Sequence, residues 1–243
     1  MDMKPLKIFL SCLPSRIRKV IIRKCLPEFK QELPGITFRK AISEKEIYNC
    51  LKLVNDVYVD VKYIKRVVGE EIRKIPQHTD PRTVVFMATT TNACKEEIPI
   101  CTFSLFLDGP FGLPIDIGFK EYVDTLRKQE KRLAEVGCLA SHPDYRRQDK
   151  NIPMLLNKLL ILHIINNLKV DFLLITTHPK YVRIYEDVLL FKKIGAISNF
   201  SYVNRNPAVA FELDLTTVRQ KFKKVYGNKP TNKNLYQFFF GEN

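Results

Sequence analysis

Residues 133–167 read LAEVGCLASHPDYRRQDKNIPMLLNKLLILHIINN, and this stretch decides the fold. Residues 133–140 are mostly apolar and interrupted by Gly137, which predicts a strand with a bulge or a close backbone approach. Residues 142–150 are polar, contain Pro143 and predict a turn. From 152 to 168 apolar side chains occur on most sides, so the helix there is expected to be buried rather than merely amphipathic. Residues 170–176 (VDFLLIT) predict a second, parallel strand, and the three pieces make a right-handed βαβ crossover. A strand running into a helix N-terminus presents unpaired backbone N–H groups at the positive end of the helix dipole, which suits phosphate. Arg146, Arg147 and Lys150 add charge at the same junction.

Outward from this unit, 243 residues suffice for one domain with appendages. The net charge of +14 favours polyanionic partners, meaning nucleic acid, anionic membrane or an acidic protein. Six cysteines contain no Cys-x-x-Cys pair, so neither a zinc site nor a disulfide framework is indicated and a reducing cytosol is the simpler setting. No apolar run reaches the roughly 18 residues of a membrane span, and the start lacks a signal-peptide cleavage pattern. The chain is therefore expected in the cytoplasm.

Three parts are expected: a basic arm (1–34), a main domain (35–216) with an insertion (109–132), and a basic tail (217–243). In the arm, Ser15 can cap a helix over 16–26 with Ile17, Val20 and Ile21 on one side. Such a helix either lies on anionic lipid at the inner membrane face or packs across the domain. Residues 36–41 predict the first strand. Ser43 with Glu46 forms a capping box for the next helix, and a second helical piece is expected before Pro76. Residues 83–89 and 98–107 predict a hairpin. In the insertion, Phe119, Tyr122, Val123 and Leu126 predict an amphipathic helix. A short helix over 179–190 and strands over 193–196 and 208–215 complete the domain.

Residues 136–156 resemble motif A of the GCN5-related N-acetyltransferase (GNAT) superfamily, whose Arg/Gln-x-x-Gly-x-Gly/Ala turn cradles the coenzyme A pyrophosphate. Here the turn is Arg146-Arg147-Gln148-Asp149-Lys150-Asn151, with neither glycine, so the resemblance speaks for the fold more than for the ligand. A narrower resemblance joins three pieces. They are Gly112-Leu113-Pro114 with Tyr122 and Leu126, then 134–140 (AEVGCLA) with Tyr145-Arg146, then Thr176-Thr177-His178-Pro179 with Tyr185, Leu189-Leu190-Phe191 and Ile194-Gly195. Together they are similar to the FeeM-type N-acyl amino acid synthases, relatives of the acyl-homoserine-lactone synthases. The resemblance implies an α/β GNAT-like fold, a mixed central sheet flanked by helices with a helical insertion before the βαβ unit. It also implies transfer of a long acyl chain from acyl carrier protein to the amine of an amino acid. Acyl-phosphopantetheine or acyl-CoA would be the donor substrate, with no permanent cofactor and no metal.

Such a reaction needs a base for the amine, N–H donors for the thioester oxyanion and a proton for the leaving thiolate. Glu135 sits in an apolar strand, on the side of Leu133, Gly137 and Leu139 if the strand is regular; it is either the base or a buried ion-pair partner. Backbone N–H groups from Gly137, Cys138, Leu139 and Ala140 are the candidate oxyanion donors. Arg146, Arg147 and Lys150 complete the candidate donor site. Tyr185 is either the acid, as GNAT enzymes often carry a tyrosine there, or a core aromatic. His178 falls just past a strand end, where it either relays a proton or turns the chain. Phe119, Tyr122, Val123 and Leu126 are expected to wall an acyl pocket, or else only to cover the sheet. The basic residues show no nucleic-acid-binding motif, and an acidic carrier protein accounts for the same charge. The alternatives are an acetyl-CoA-dependent N-acetyltransferase, or a non-catalytic GNAT-like module binding lipid or an acidic partner.

Overall fold

The computed structural model describes residues 13–148 and 151–241. Its strands are β1 (Thr37–Lys40), β2 (Val84–Thr91), β3 (Glu97–Leu107), β4 (Leu133–Ser141), β5 (Phe172–Thr177), β6 (Lys192–Phe200) and β7 (Asn206–Asp214). They form one sheet in the order β1-β2-β3-β4-β5-β7-β6, antiparallel except for the β4–β5 pair. The helices are α1 (Ser15–Lys24), α2 (Glu44–Asp60), α3 (Asp116–Lys128), α4 (Pro143–Gln148), α5 (Asn151–Asn167), α6 (Val218–Tyr226) and α7 (Leu235–Phe240).

α2 and α3 cover one face of the sheet, and α5, α6 and α7 cover the other. The Ser43 hydroxyl accepts the Glu46 N–H at 3.3 Å and the Glu46 carboxylate accepts the Ser43 N–H at 2.9 Å, so the start of α2 is capped reciprocally. The apolar surface of α5 divides between the sheet and the two terminal helices, which is why nearly all its sides are apolar. Among the described residues no helix is long and apolar enough to cross a membrane.

Four local expectations change. The stretch between Val61 and Ile75 is irregular and ends in a short 3-10 turn, so α2 has no helical successor there. Residues 143–148 form a helical turn. The expected helix over 179–190 divides into a 3-10 turn (Pro179–Tyr181) and a π-helical turn (Ile184–Val188). α1 stops at Lys24, has no side-chain cap, and leaves Ile17 and Val20 exposed. It docks instead through Arg18, whose Nε lies 3.1 Å from the buried Asp187 carboxylate, and through Arg23, which donates to the Asp187 carbonyl at 2.8 Å. The tail folds back as well: Val218, Phe222 and Tyr226 of α6 and Phe238, Phe239 and Phe240 of α7 are buried against α5 and the sheet.

Candidate active site

The two parallel strands separate part-way along their length. β4 and β5 pair only from Leu133 with Phe172 to Val136 with Ile175. Beyond that point β4 stays on β3, while Thr176 and Thr177 of β5 stay on β7. A bulge re-aims β4 at the opening: Phe103 of β3 stands opposite both Cys138 and Leu139, and Cys138 takes a left-handed φ of 55°. A non-glycine residue in that region costs roughly 1–2 kcal/mol, so packing and ladder bonds on either side must hold it there. The strand is therefore not regular past Gly137. Cys138 and Ala140 turn to the α2–α3 face with Leu133, and Leu139 is left partly exposed.

A cavity of about 540 Å³ passes through this gap and is lined from both faces of the sheet. Glu135, 2% exposed, lies on its wall. Its Oε2 accepts the Ile115 N–H at 2.7 Å, and the Thr176 hydroxyl lies near without a well-formed hydrogen bond. Burial pushes the carboxyl up to about 8; the Ile115 N–H pulls the other way, and the Asp116 charge adds to the rise. A carboxyl near 8 exchanges its proton in the range a general base requires.

Gly137, Cys138 and Leu139 line the cavity, whereas Ala140 is buried outside it. Burial pushes the Cys138 thiol up to about 11, so it is not a thiolate nucleophile at neutral pH. Arg146, exposed on α4, lines the mouth, and Asn151, buried in the first turn of α5, lines the cavity further in. The Arg147 side chain, Asp149 and Lys150 lie outside the described residues.

Tyr185 stands on the π-helical turn, lines the same cavity and stacks on Phe211 at 5.7 Å. Desolvation pushes its hydroxyl up to about 12, which keeps it protonated and able to donate. His178 also lines the cavity. Its Nδ1 accepts the Lys180 N–H at 3.2 Å, so it caps the turn after β5, and its ring stacks near Tyr63. Burial and Lys180 lower its pKa.

The four insertion residues expected to wall an acyl pocket do not line this cavity. Val123 and Leu126 are buried in the core between α2, α3 and the sheet. Phe119 packs on Gly195, and the Tyr122 hydroxyl donates to Glu212 at 2.6 Å, so α3 covers the β6–β7 side of the sheet instead. The stripe marked a buried face without saying what it would be buried against.

The sequence reading also missed Tyr58, Tyr202 and Arg73. Both tyrosines line the cavity, with Tyr202 Oη 3.7 Å from Cys138 Sγ. Arg73 stacks over both rings, at 5.7 and 4.8 Å from their centres, and donates to the Tyr202 carbonyl at 3.0 Å. Its Nε is buried with no hydrogen-bond partner among the described residues. Tyr58 fits a helical core stripe, and nothing local to Arg73 or Tyr202 shows that the chain brings them together.

The solved structure of FeeM, an N-acyl amino acid synthase from uncultured soil microbes, superposes with a TM-score of 0.65 at 23% identity, covering 77% of this chain and 95% of that one. Arabidopsis thaliana NAA60 in complex with acetyl-CoA superposes with a TM-score of 0.51 at 14% identity, covering 74% of this chain and 99% of that one. No curated protein sequence matches the chain. These likenesses establish the GNAT-like fold, and the family model for the N-acyl amino acid synthase FeeM matches residues 49–214, which contain the splayed strands, the bulge, Glu135 and Tyr185. The chain belongs to the FeeM N-acyl amino acid synthase family and is an N-acyltransferase.

Proposed function

We propose that the protein transfers a long acyl chain from an acyl-carrier-protein thioester to the α-amine of an amino acid. The observation that carries this reading is a cavity that joins a buried carboxyl, a bulged strand and a long apolar interior. An acetyl group would fill little of its volume. In this reading the amine attacks the thioester carbonyl and Glu135 takes its proton. Backbone N–H groups at the Gly137–Leu139 bulge hold the oxyanion, after which the C–S bond breaks and Tyr185 protonates the leaving thiolate. His178 shapes the turn beside the reacting groups. Arg73 supports an amino acid as acceptor: its guanidinium stacks behind Tyr58 and Tyr202, two rings of the cavity wall, and puts positive charge beside the site of a carboxylate.

The charge of +14 and Arg146 at the cavity mouth suit an acidic carrier protein. The exposed Ile17 and Val20, with Arg16 and Lys24 beside them, suit light contact with an anionic membrane at the cytoplasmic face. Turnover on matched acyl-carrier-protein and acyl-CoA thioesters tests the donor. The carrier-bound form should be preferred, with a preference that weakens as salt screens charges beyond about 8–10 Å. Equal or better use of the CoA form would remove the carrier protein from the reading.

A further inference from the structure

The cavity continues well past the reacting end. From Thr176 at the gap it runs beneath α5 to Leu173 and Leu213, three residues back along β5, or about 10 Å. Its far wall comes from the two ends of the chain: Leu26 and Phe29 of the arm, Phe222 of α6, and Phe239 and Phe240 of α7. All five lie outside residues 49–214, the part that the family model matches. Arm and tail are clipped to each other. The Phe29 N–H donates to the Asn232 carbonyl at 2.7 Å, Asn232 Nδ2 donates to Glu28 at 2.7 Å, and the Phe29 and Phe238 rings meet at 5.4 Å. Phe240 has a second neighbour on its outer side, a surface hollow that it lines with Arg219, Tyr236, Gln237 and Gly241. One ring thus stands between the interior cavity and the outside.

We propose that the terminal arm and tail, rather than α3, close the acyl cavity and set the longest chain it accepts, with Phe240 as the end stop. The inference rests on the acyl-transfer reading, since only an acyl chain makes a far wall into a ruler. A chain that grows inside an apolar trench gains about four-fold in affinity per added methylene, and that gain ends where the trench ends. Removing the Phe240 ring would join the cavity to the outer hollow.

Thermal-shift titration of the full chain with straight-chain fatty acids from hexanoate to palmitate tests this without requiring turnover. In the wild type, affinity should rise with length and then level off. Phe240→Ala should move the levelling point several carbons longer, Phe240→Leu should move it less, and Phe119→Leu in α3 should leave it in place. The leucine variant reads the same effect if the alanine variant folds poorly. An unmoved levelling point in both Phe240 variants, or one moved by Phe119→Leu, would overturn the assignment of the end stop while leaving the acyl cavity standing. Absence of binding at every length would overturn the acyl-cavity reading and the inference with it.

Discussion

Glu135 Oε2 accepts a 2.7 Å hydrogen bond from the Ile115 N–H, so a buried carboxyl on the central strand anchors the residue that leads into α3. Glutamine can accept the same bond. Glu135→Gln should therefore keep the fold and lose roughly 10²–10⁴-fold in kcat/KM, the usual worth of a general base. Retained activity in the folded variant would make Glu135 an anchor only.

The same residue has a signature in stability. Its carboxyl is raised from 4.5 in a free side chain to about 8 in the fold, so between those values the native state holds a proton that the unfolded state has lost. Stability then falls as pH rises from about 4.5 to about 8 and is flat above, by an amount on the order of a few kcal/mol. Denaturant titrations of wild type and Glu135→Gln should diverge in the variant's favour across this window. Parallel curves would show a carboxyl with an ordinary pKa. This readout is cleaner than a pH–rate profile, which also carries the titration of the acceptor amine.

Arg73→Gln removes the charge between Tyr58 and Tyr202. The KM for the amino acid should rise with kcat little changed, as expected for loss of positive charge behind the cavity wall that draws in the acceptor carboxylate. Steady-state kinetics with an amine lacking the carboxylate should show no difference between variant and wild type. An equal penalty on both acceptors would make Arg73 a structural residue.

Tyr185→Phe should cost less than Glu135→Gln, because a thiolate leaves readily without a proton. Single-turnover rates on one acyl thioester compare the two directly, and a larger loss at Tyr185 would reverse their roles.

Arg18 pairs with Asp187, whose side chain is fully buried and whose Oδ1 has no hydrogen-bond partner among the described residues. Arg18→Ala leaves that carboxylate uncompensated and should destabilise the protein by about 3 kcal/mol, read from urea unfolding. A change under about 0.5 kcal/mol would mean that the arm is not docked on the π-helical turn in solution.

Much of the architecture was legible because it lies in local pattern. An apolar strand leading into a helix apolar on all sides can only be a central unit covered from both directions, and Glu135 stood out as a carboxylate in that run. The bulge was placed near Gly137 but sits one residue on, because tertiary packing holds Cys138 in a backbone region glycine would enter freely. The helices of the tail were less legible for a different reason. Four basic residues, Arg219, Lys221, Lys223 and Lys224, mask the stripe of Val218, Phe222 and Tyr226, and short helices carry little periodic signal of their own. The α3 stripe was expected to wall an acyl pocket or else only to cover the sheet; amphipathicity does not name a partner, and the stripe packs on β6 and β7. Arg73 and the tyrosines it joins meet only through the fold.

The central claim is that a long acyl chain in the cavity through the β4–β5 gap is transferred to an amino acid under the action of Glu135. The most direct measurement gives the purified chain a long-chain acyl-carrier-protein thioester and a mixture of free amino acids, with products read by mass spectrometry. The account predicts an N-acyl amino acid whose formation nearly disappears in folded Glu135→Gln. Release of free fatty acid alone, an acetylated product formed only from acetyl-CoA, or no product from any thioester would contradict it.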